Sequence, residues 1–359
     1  MSKKLLIIIL MLTVMLTGCF PSGELKTSSE PAANSTNNVT PSDNSDNSEP
    51  DAPKELEHVK FNIELDGEYP TEVPVIKTKR AVFDVEEMKA LFIAGKDIIF
   101  EETGDNVNNF YTADGAWLCV RNDGITYIPD EHMYDDDTEK KYISRMQQIA
   151  ATYTRDYRKL FPNINSELED FPRSEAIERA NELVKTVGVK YLGEPTVYTF
   201  TAEDIHNFDE KITLSKNDEF YLVIFPTAYG DIPVLPWSIG GNYGSKAEVI
   251  LTKEKLVKLD YYNVFDNIEV IDTVQIKCGA ENALSRLYDY HSIDETPKFR
   301  FEYDGLDITY ITDSYDTKNG VFTYRPLWCA SGTMYEMDGQ MMANNCDKFI
   351  DPATGFVFE

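Results

Sequence analysis

The apolar run at residues 5–16, and the cysteine that follows it at position 19, decide how much of this chain can fold. About a dozen apolar residues behind Lys3 and Lys4 are too few to cross a bilayer as a finished helix, and they fit the apolar core of a secretory signal. Thr17 and Gly18 then lead into Cys19, where an ordinary cleavage site would stand. Residues 20–55 follow with segments such as Ser28-Ser29-Glu30-Pro31 and Asn34-Ser35-Thr36-Asn37-Asn38. These carry too little apolar surface to offset the entropy of ordering a chain. Folding is therefore expected from about residue 57 onward, behind a flexible tether with a root-mean-square reach of ~30–35 Å.

The stretch Leu16-Thr17-Gly18-Cys19 resembles the lipobox of bacterial lipoproteins. The resemblance implies that the Cys19 thiol carries diacylglycerol, with palmitate-type acyl chains, and that the chain is cut just before it. Residues 1–18 would then be the signal peptide and residues 19–56 a disordered tether. Two acyl chains hold a protein on a bilayer where one binds reversibly, at ~0.8 kcal/mol per buried CH₂. A plain secretory signal, or an anchor that is never cut, is the alternative. The expected place is the extracytoplasmic face of a cell membrane, with the bilayer itself as the first partner.

The charge balance narrows the other partners. With 62 acidic and 34 basic residues the net charge is −28. Such a chain repels nucleic acid and gains nothing from an anionic membrane surface. With Cys19 consumed by lipid, Cys119, Cys278, Cys329 and Cys346 remain. They are too few for a disulfide scaffold, although pairing is possible outside the cytosol.

Along the chain, period-two and period-3.6 patterns alternate. Strands are expected at 58–65, 97–101, 108–111 and 116–121, the last two flanking a hairpin signal at Asp114-Gly115. Helices are expected at 85–94 and 138–160. A second block opens with a helix capped by Ser174, with Ala176, Ala180 and Val184 on one face and Gly188 at its end. Strands follow at 197–201, 220–225, 248–252 and 255–261, around a Pro/Gly-rich excursion at 229–244. The third block has a strand at 268–277 and a helix at 280–287. Strands at 298–303, 306–313, 320–328 and 348–350 then precede a turn at Asp351-Pro352-Ala353-Thr354-Gly355.

The Glu/Ala helix at 174–180, its looser repeat at 280–287 and the closing strand-turn Phe349-Ile350-Asp351-Pro352-Ala353-Thr354-Gly355-Phe356-Val357 resemble PepSY-type domains and YycI-like extracytoplasmic regulators. Tyr324-Arg325-Pro326-Leu327-Trp328 is similar to the aromatic strand before that turn in YycI-like proteins. The whole chain looks like an uncharacterised bacterial lipoprotein family, although YycI-like proteins usually keep an uncleaved transmembrane anchor. The resemblance implies an α+β fold: antiparallel sheets each packed on one or two helices, in tandem PepSY/cystatin-like units. The expected divisions are an α+β domain at 57–171 and two PepSY-like units at 172–264 and 265–359. It also implies inhibitors, sensors or assembly partners at a membrane surface, and no catalysis.

The residues agree on the absence of familiar catalytic settings. His58, His132, His206 and His291 show no metal-ligand spacing and read as scattered surface histidines. Beyond residue 19 there is no Ser-x-x-Lys, and the chain holds no Gly-x-Ser-x-Gly and no Cys-x-x-Cys. Gly240-Gly241-Asn242-Tyr243-Gly244 lacks the Lys-Ser/Thr of a phosphate loop. Asp135-Asp136-Asp137, beside Asp130 and Glu131, is either a solvated loop or a calcium site. No cofactor is expected. The reading is a binding protein (regulator, sensor or envelope assembly partner) with a protein partner at the membrane surface. The alternatives are a hydrolase of envelope polymers and a solute-binding lipoprotein.

Two site expectations follow. Cys329 ends one strand and Cys346 precedes another, so a disulfide between them would close the loop at 330–345; Cys119 and Cys278 are left open. Pro233-Val234-Leu235-Pro236-Trp237 is apolar for a loop and leads to Tyr243, so it either covers a core or offers Trp237 and Tyr243 to a partner.

Overall fold

The computed structural model describes residues 56–65, 67–130, 161–208, 210, 214–238, 243–293, 297–339, 341–343 and 346–358. The signal segment, Cys19, the tether, Asp135-Asp136-Asp137 and the helix expected at 138–160 lie outside the described residues.

Among the described residues eight strands make sheet I: β1 (Val59–Phe61), β2 (Glu72–Arg80), β13 (Phe265–Gln275), β14 (Phe299–Asp316), β15 (Val321–Glu336), β16 (Met341–Ala343), β17 (Lys348–Ile350) and β18 (Val357–Phe358). Its axis is the long β14–β15 hairpin. Along the other edge of β15 lie three partners in turn: β2 at Val321–Tyr324, β17 at Trp328–Ala330 and β16 at Met334–Tyr335. Sheet II has the order β3 (Ile98–Thr103), β4 (Val107–Thr112), β5 (Trp117–Arg121), β6 (Gly124–Ile128), β12 (Leu256–Tyr262), β11 (Lys246–Thr252), β8 (Phe220–Pro226), β7 (Thr196–Phe200), antiparallel throughout. A short ribbon, β9 (Ala228–Tyr229) with β10 (Ile232–Pro233), forms a separate two-stranded sheet.

Among the described residues four helices cover these sheets. Helix α1 (Val85–Phe92) is capped by Asp84, whose carboxylate accepts from Glu87 N. Helix α2 (Arg173–Thr186) buries Ala176, Ala180 and Val184, the spacing read from the sequence. It starts one residue before Ser174, and Glu167, not Ser174, accepts from its first amide. Helix α3 (Ala202–Phe208) lies on the opposite side of sheet II, where Ile205 joins Phe161, Phe200 and Phe220. Helix α4 (Ala280–Ser292) buries Ala280, Ala283 and Leu287 against Tyr303, Trp328 and Ile350 of sheet I.

Sheet II is covered on both faces in its middle, which explains why β8 reads as one unbroken apolar run. Tyr221, Val223 and Phe225 point to the α2 side, and Phe220, Leu222 and Ile224 to the α3 side. In sheet I the large aromatic residues Tyr303, Tyr310, Tyr324 and Trp328 are fully buried, and Trp328 Nε1 donates to Cys278 O at 2.8 Å.

The expectation of tandem α+β units is overturned. Among the described residues the fold is mostly β, 47% strand against 18% helix, with large multi-strand sheets. Pairing does not respect sequential units: β6 pairs with β12 through Tyr127 and Leu259, and β2 pairs with β13 through Ile76 and Val270. The helix-plus-sheet signature is present locally, but each helix covers only part of a sheet whose strands come from distant stretches. Among the described residues no helix is long and apolar enough to cross a membrane.

Candidate functional site

The excursion at 229–244 is a strap between the sheets. Val234 N donates to Thr227 O (2.7 Å), Leu235 N to Tyr310 O (3.1 Å) and Thr309 Oγ1 to Pro233 O (3.0 Å). Val234 is fully buried in the sheet I core beside Tyr310. Trp237 is half-buried against the α3 side of sheet II, with Lys246 Nζ 4.2 Å above its ring. Tyr243 N donates to Thr312 Oγ1 (2.9 Å), and the Tyr243 ring rests on Tyr315 and Phe322 at 4.4 and 5.5 Å. Both aromatic residues therefore turn toward their own protein. Residues 239–242 lie outside the described set.

Among the described residues the four cysteines, Cys119, Cys278, Cys329 and Cys346, are free thiols. The disulfide expected between Cys329 and Cys346 is not formed, and the sheet register explains why. Cys329 stands opposite Phe349, while Cys346 N donates to Gly332 O. Three residues along a strand is ~10 Å, beyond the ~7 Å a disulfide spans. Burial raises the thiol pKa of Cys119, Cys278 and Cys346, and raises that of Cys329 well above the usual range. Such groups are poor nucleophiles.

Two of the histidines are not on the surface. His58 and His291 are buried, and the Nε2 of His58 donates to the carbonyl of His291 at 3.2 Å. The Nε2 of His291 lies 2.9 Å from the Tyr303 hydroxyl. This network fastens β1 and α4 to β14. Among the described residues no group of three or more His, Cys, Asp or Glu is placed to hold a metal ion.

A ladder of alternating charge crosses sheet II. Glu248 is ringed by Lys246 at 2.7 Å and Lys258 at 3.2 Å; Asp260 lies 3.8 Å from Lys258 and 3.5 Å from Arg121; Asp123 closes the row 3.0 Å from Arg121. Burial alone would raise the Glu248 pKa, but the two ammonium groups hold it at about 2. Burial would likewise lower the pKa of Arg121, but Asp260 and Asp123 more than offset it and raise it.

Two features of the surface can engage something else. The first is β13, a strand of sheet I that among the described residues pairs with β2 alone. A register shift between Val270 and Asp272 breaks its alternation, as a bulge does. It leaves Val270 and Ile271 side by side, 48% and 47% exposed. Asp266, Glu269 and Asp272 flank them, all exposed. The second is a half-open cleft of about 300 Å³ where the end of β2 and the β14–β15 turn face β4 and β5. Lys79, Arg80, Arg121 and Lys318 line it, and no Asp or Glu does. The nearest sequence signal was Lys77-Thr78-Lys79-Arg80, a basic run in an acidic chain; the other two cations carry no local mark.

No family model matches the chain, and no curated protein matches it. Among solved structures it is similar to an uncharacterized protein from Eubacterium rectale, with a TM-score of 0.65 at 14% identity, covering 85% of this chain and 91% of that one. At that identity the likeness shows a shared fold and nothing of activity.

Proposed function

We propose that this chain is a lipid-anchored extracytoplasmic protein that acts by binding a protein partner at the membrane surface, as a regulator, sensor or envelope assembly partner. The N-terminal sequence supports the anchor: a short apolar run, Cys19 at its end, and a polar tether long enough to let the folded part search the surface. The observation that carries the binding reading is the open edge of β13. One edge of this eleven-residue strand is paired with β2 and the other is unpaired among the described residues; with two half-exposed apolar side chains, that edge forms a template for an added strand. A second copy of this chain would set Asp266, Glu269 and Asp272 against like charges, in a molecule already at −28. The fitting occupant is an extended segment of another protein that carries Lys or Arg beside apolar residues.

The test uses the full chain expressed in its own membranes, with a photo-crosslinking side chain at Ile271 or, as a control, at exposed Leu91. The expected result is one dominant crosslinked protein from Ile271, none from Leu91, and loss of the adduct when Cys19→Ser releases the protein from the membrane. Equal yields at both positions, or none at either, would remove the edge from consideration. A Cys19→Ser chain that fractionates with membranes like the parent would remove the anchor.

A further inference from the structure

The cleft between the sheets inverts the charge of the molecule that holds it. In a chain with 62 acidic and 34 basic residues, a random lining would be mainly acidic. This one has four cations and no acid. Three of the four cations have no carboxylate in ion-pair contact among the described residues. Arg121 has Asp123 and Asp260 as partners, but among the described residues Lys79, Arg80 and Lys318 have no carboxylate partner. The nearby Asp316 is turned to its own loop, where its carboxylate accepts from Asn319 N and Nδ2.

The backbone fixes this arrangement. Arg80 N donates to Gly320 O at 2.8 Å, and Val321 stands opposite Lys79 in the ladder. The β14–β15 turn, with Lys318, is thus fastened to the end of β2. Gly320 has φ +64°, and a Cβ there would come within 3.3 Å of Arg80 Cβ. That left-handed conformation, open to glycine at no steric cost, lets the chain turn. Arg80 is held from the other side, where its guanidinium donates to Asn263 Oδ1 at 3.3 Å. Asn108 and Asn122 line the sheet II wall, and the Asn122 Nδ2 donates to Asn106 Oδ1 at 2.6 Å.

We propose that this cleft binds a phosphate group, either as the free ion or carried on a larger ligand. Four cations, three of them without a carboxylate in ion-pair contact among the described residues, suit a dianion with several acceptor oxygens. A single carboxylate would leave two of the cations without a counter-charge. A nucleic-acid strand is disfavoured by the charge of −28 and by a cleft sized for one small group. The inference is independent of the anchor and of the β13 edge.

The experiment titrates the full chain, in detergent at low salt, with inorganic phosphate, glycerol 3-phosphate, a glycerol-phosphate oligomer and acetate, read by calorimetry and by ³¹P line broadening. Saturable one-to-one binding of at least one phosphate ligand, and none of acetate, is expected. Lys79 and Lys318 are exposed. Lys79→Gln with Lys318→Gln should therefore leave the unfolding temperature unchanged and weaken binding about tenfold per lysine. Lys60→Gln, which removes the same charge from exposed β1, should leave binding intact. Tightest binding of inorganic phosphate would identify a free-ion site, and tightest binding of the esters a site for a phosphorylated ligand; both support the cleft. Absence of saturable phosphate binding, equal binding of acetate, an unaffected double variant, or an equal loss in Lys60→Gln would overturn it.

Discussion

Replacing Glu248 with Gln tests whether the charge ladder of sheet II holds the fold together. The side chain is 6% exposed, and both of its oxygens are used, by Lys246 and by Lys258. Glutamine keeps the shape and removes the charge, so two ammonium groups lose their common counter-ion. Breaking a buried pair costs ~3–5 kcal/mol. The lysines are 15% and 19% exposed, and Lys258 keeps Asp260 at 3.8 Å. The low end therefore applies, about 3 kcal/mol. For a folded unit of this size that is a fall of about 6 °C in Tm.

The pH profile makes the reasoning specific. The Glu248 carboxyl titrates at about 2 in the folded protein against the ordinary 4.5. A depressed folded value means that its contribution is complete above 4.5, and is lost as pH falls from 4.5 through about 2. Scanning calorimetry of wild type and Glu248→Gln from about pH 7 to about pH 2.5 should therefore show a gap of about 3 kcal/mol that narrows below about pH 4.5. A gap under about 1 kcal/mol at neutral pH, or one that stays constant to the acid end of the range, would refute the assignment.

Two further outcomes are expected. A Cβ on Gly124 would stand 1.7 Å from Tyr261 O, where β6 pairs with β12. Gly124→Ala should therefore break that pairing and lower stability by about 3 kcal/mol or more, measured by denaturant midpoint; an unchanged midpoint would contradict the register. Mass measured without reductant should show Cys119, Cys278, Cys329 and Cys346 all as thiols, and native alkylation should reach half-buried Cys346 before the other three; a mass two hydrogens short, or faster labelling of Cys329, would contradict the geometry.

What could be read from the sequence is what one segment decides alone. The Asp114-Gly115 hairpin has Gly115 at φ +91°, helix α2 buries the expected face, and Gly188 ends it at φ +79°. No strand is expected at 72–80, because Pro74 and the cations Lys77, Lys79 and Arg80 mask the period of β2; its inward residues Val73 and Ile76 are nonetheless fully buried. The fold class failed at long range. Nothing local says that Gly124–Ile128 will pair with Leu256–Tyr262, and two stretches that look like separate units become one sheet once they do. The cysteine expectation fails for a related reason: β15 and β17 do pair, but a register offset of three residues is invisible in the spacing.

The cleft depends on one buried residue that carries no charge. Asn263 sits at φ +50° between β12 and β13. That is a left-handed backbone, which Asn tolerates better than most side chains. Its N donates to Asp123 O at 2.7 Å, its Nδ2 to Gly244 O at 3.2 Å, and its carbonyl accepts from Ser245 Oγ at 2.7 Å. Its remaining acceptor, Oδ1, takes the Arg80 guanidinium. One side chain thus ties the strap, the β5–β6 turn and the end of β2 to the point where the chain leaves sheet II for sheet I. The cleft walls are the two sides of that joint. Arg80 and Arg121 are held by it and by their own partners, so they fix where an anion can sit. Lys79 and Lys318 are exposed and have no carboxylate partner among the described residues, so they can supply charge without straining the fold. Positioning cations come from the joint and the others from the rim, and that division lets an acidic protein keep a cationic site.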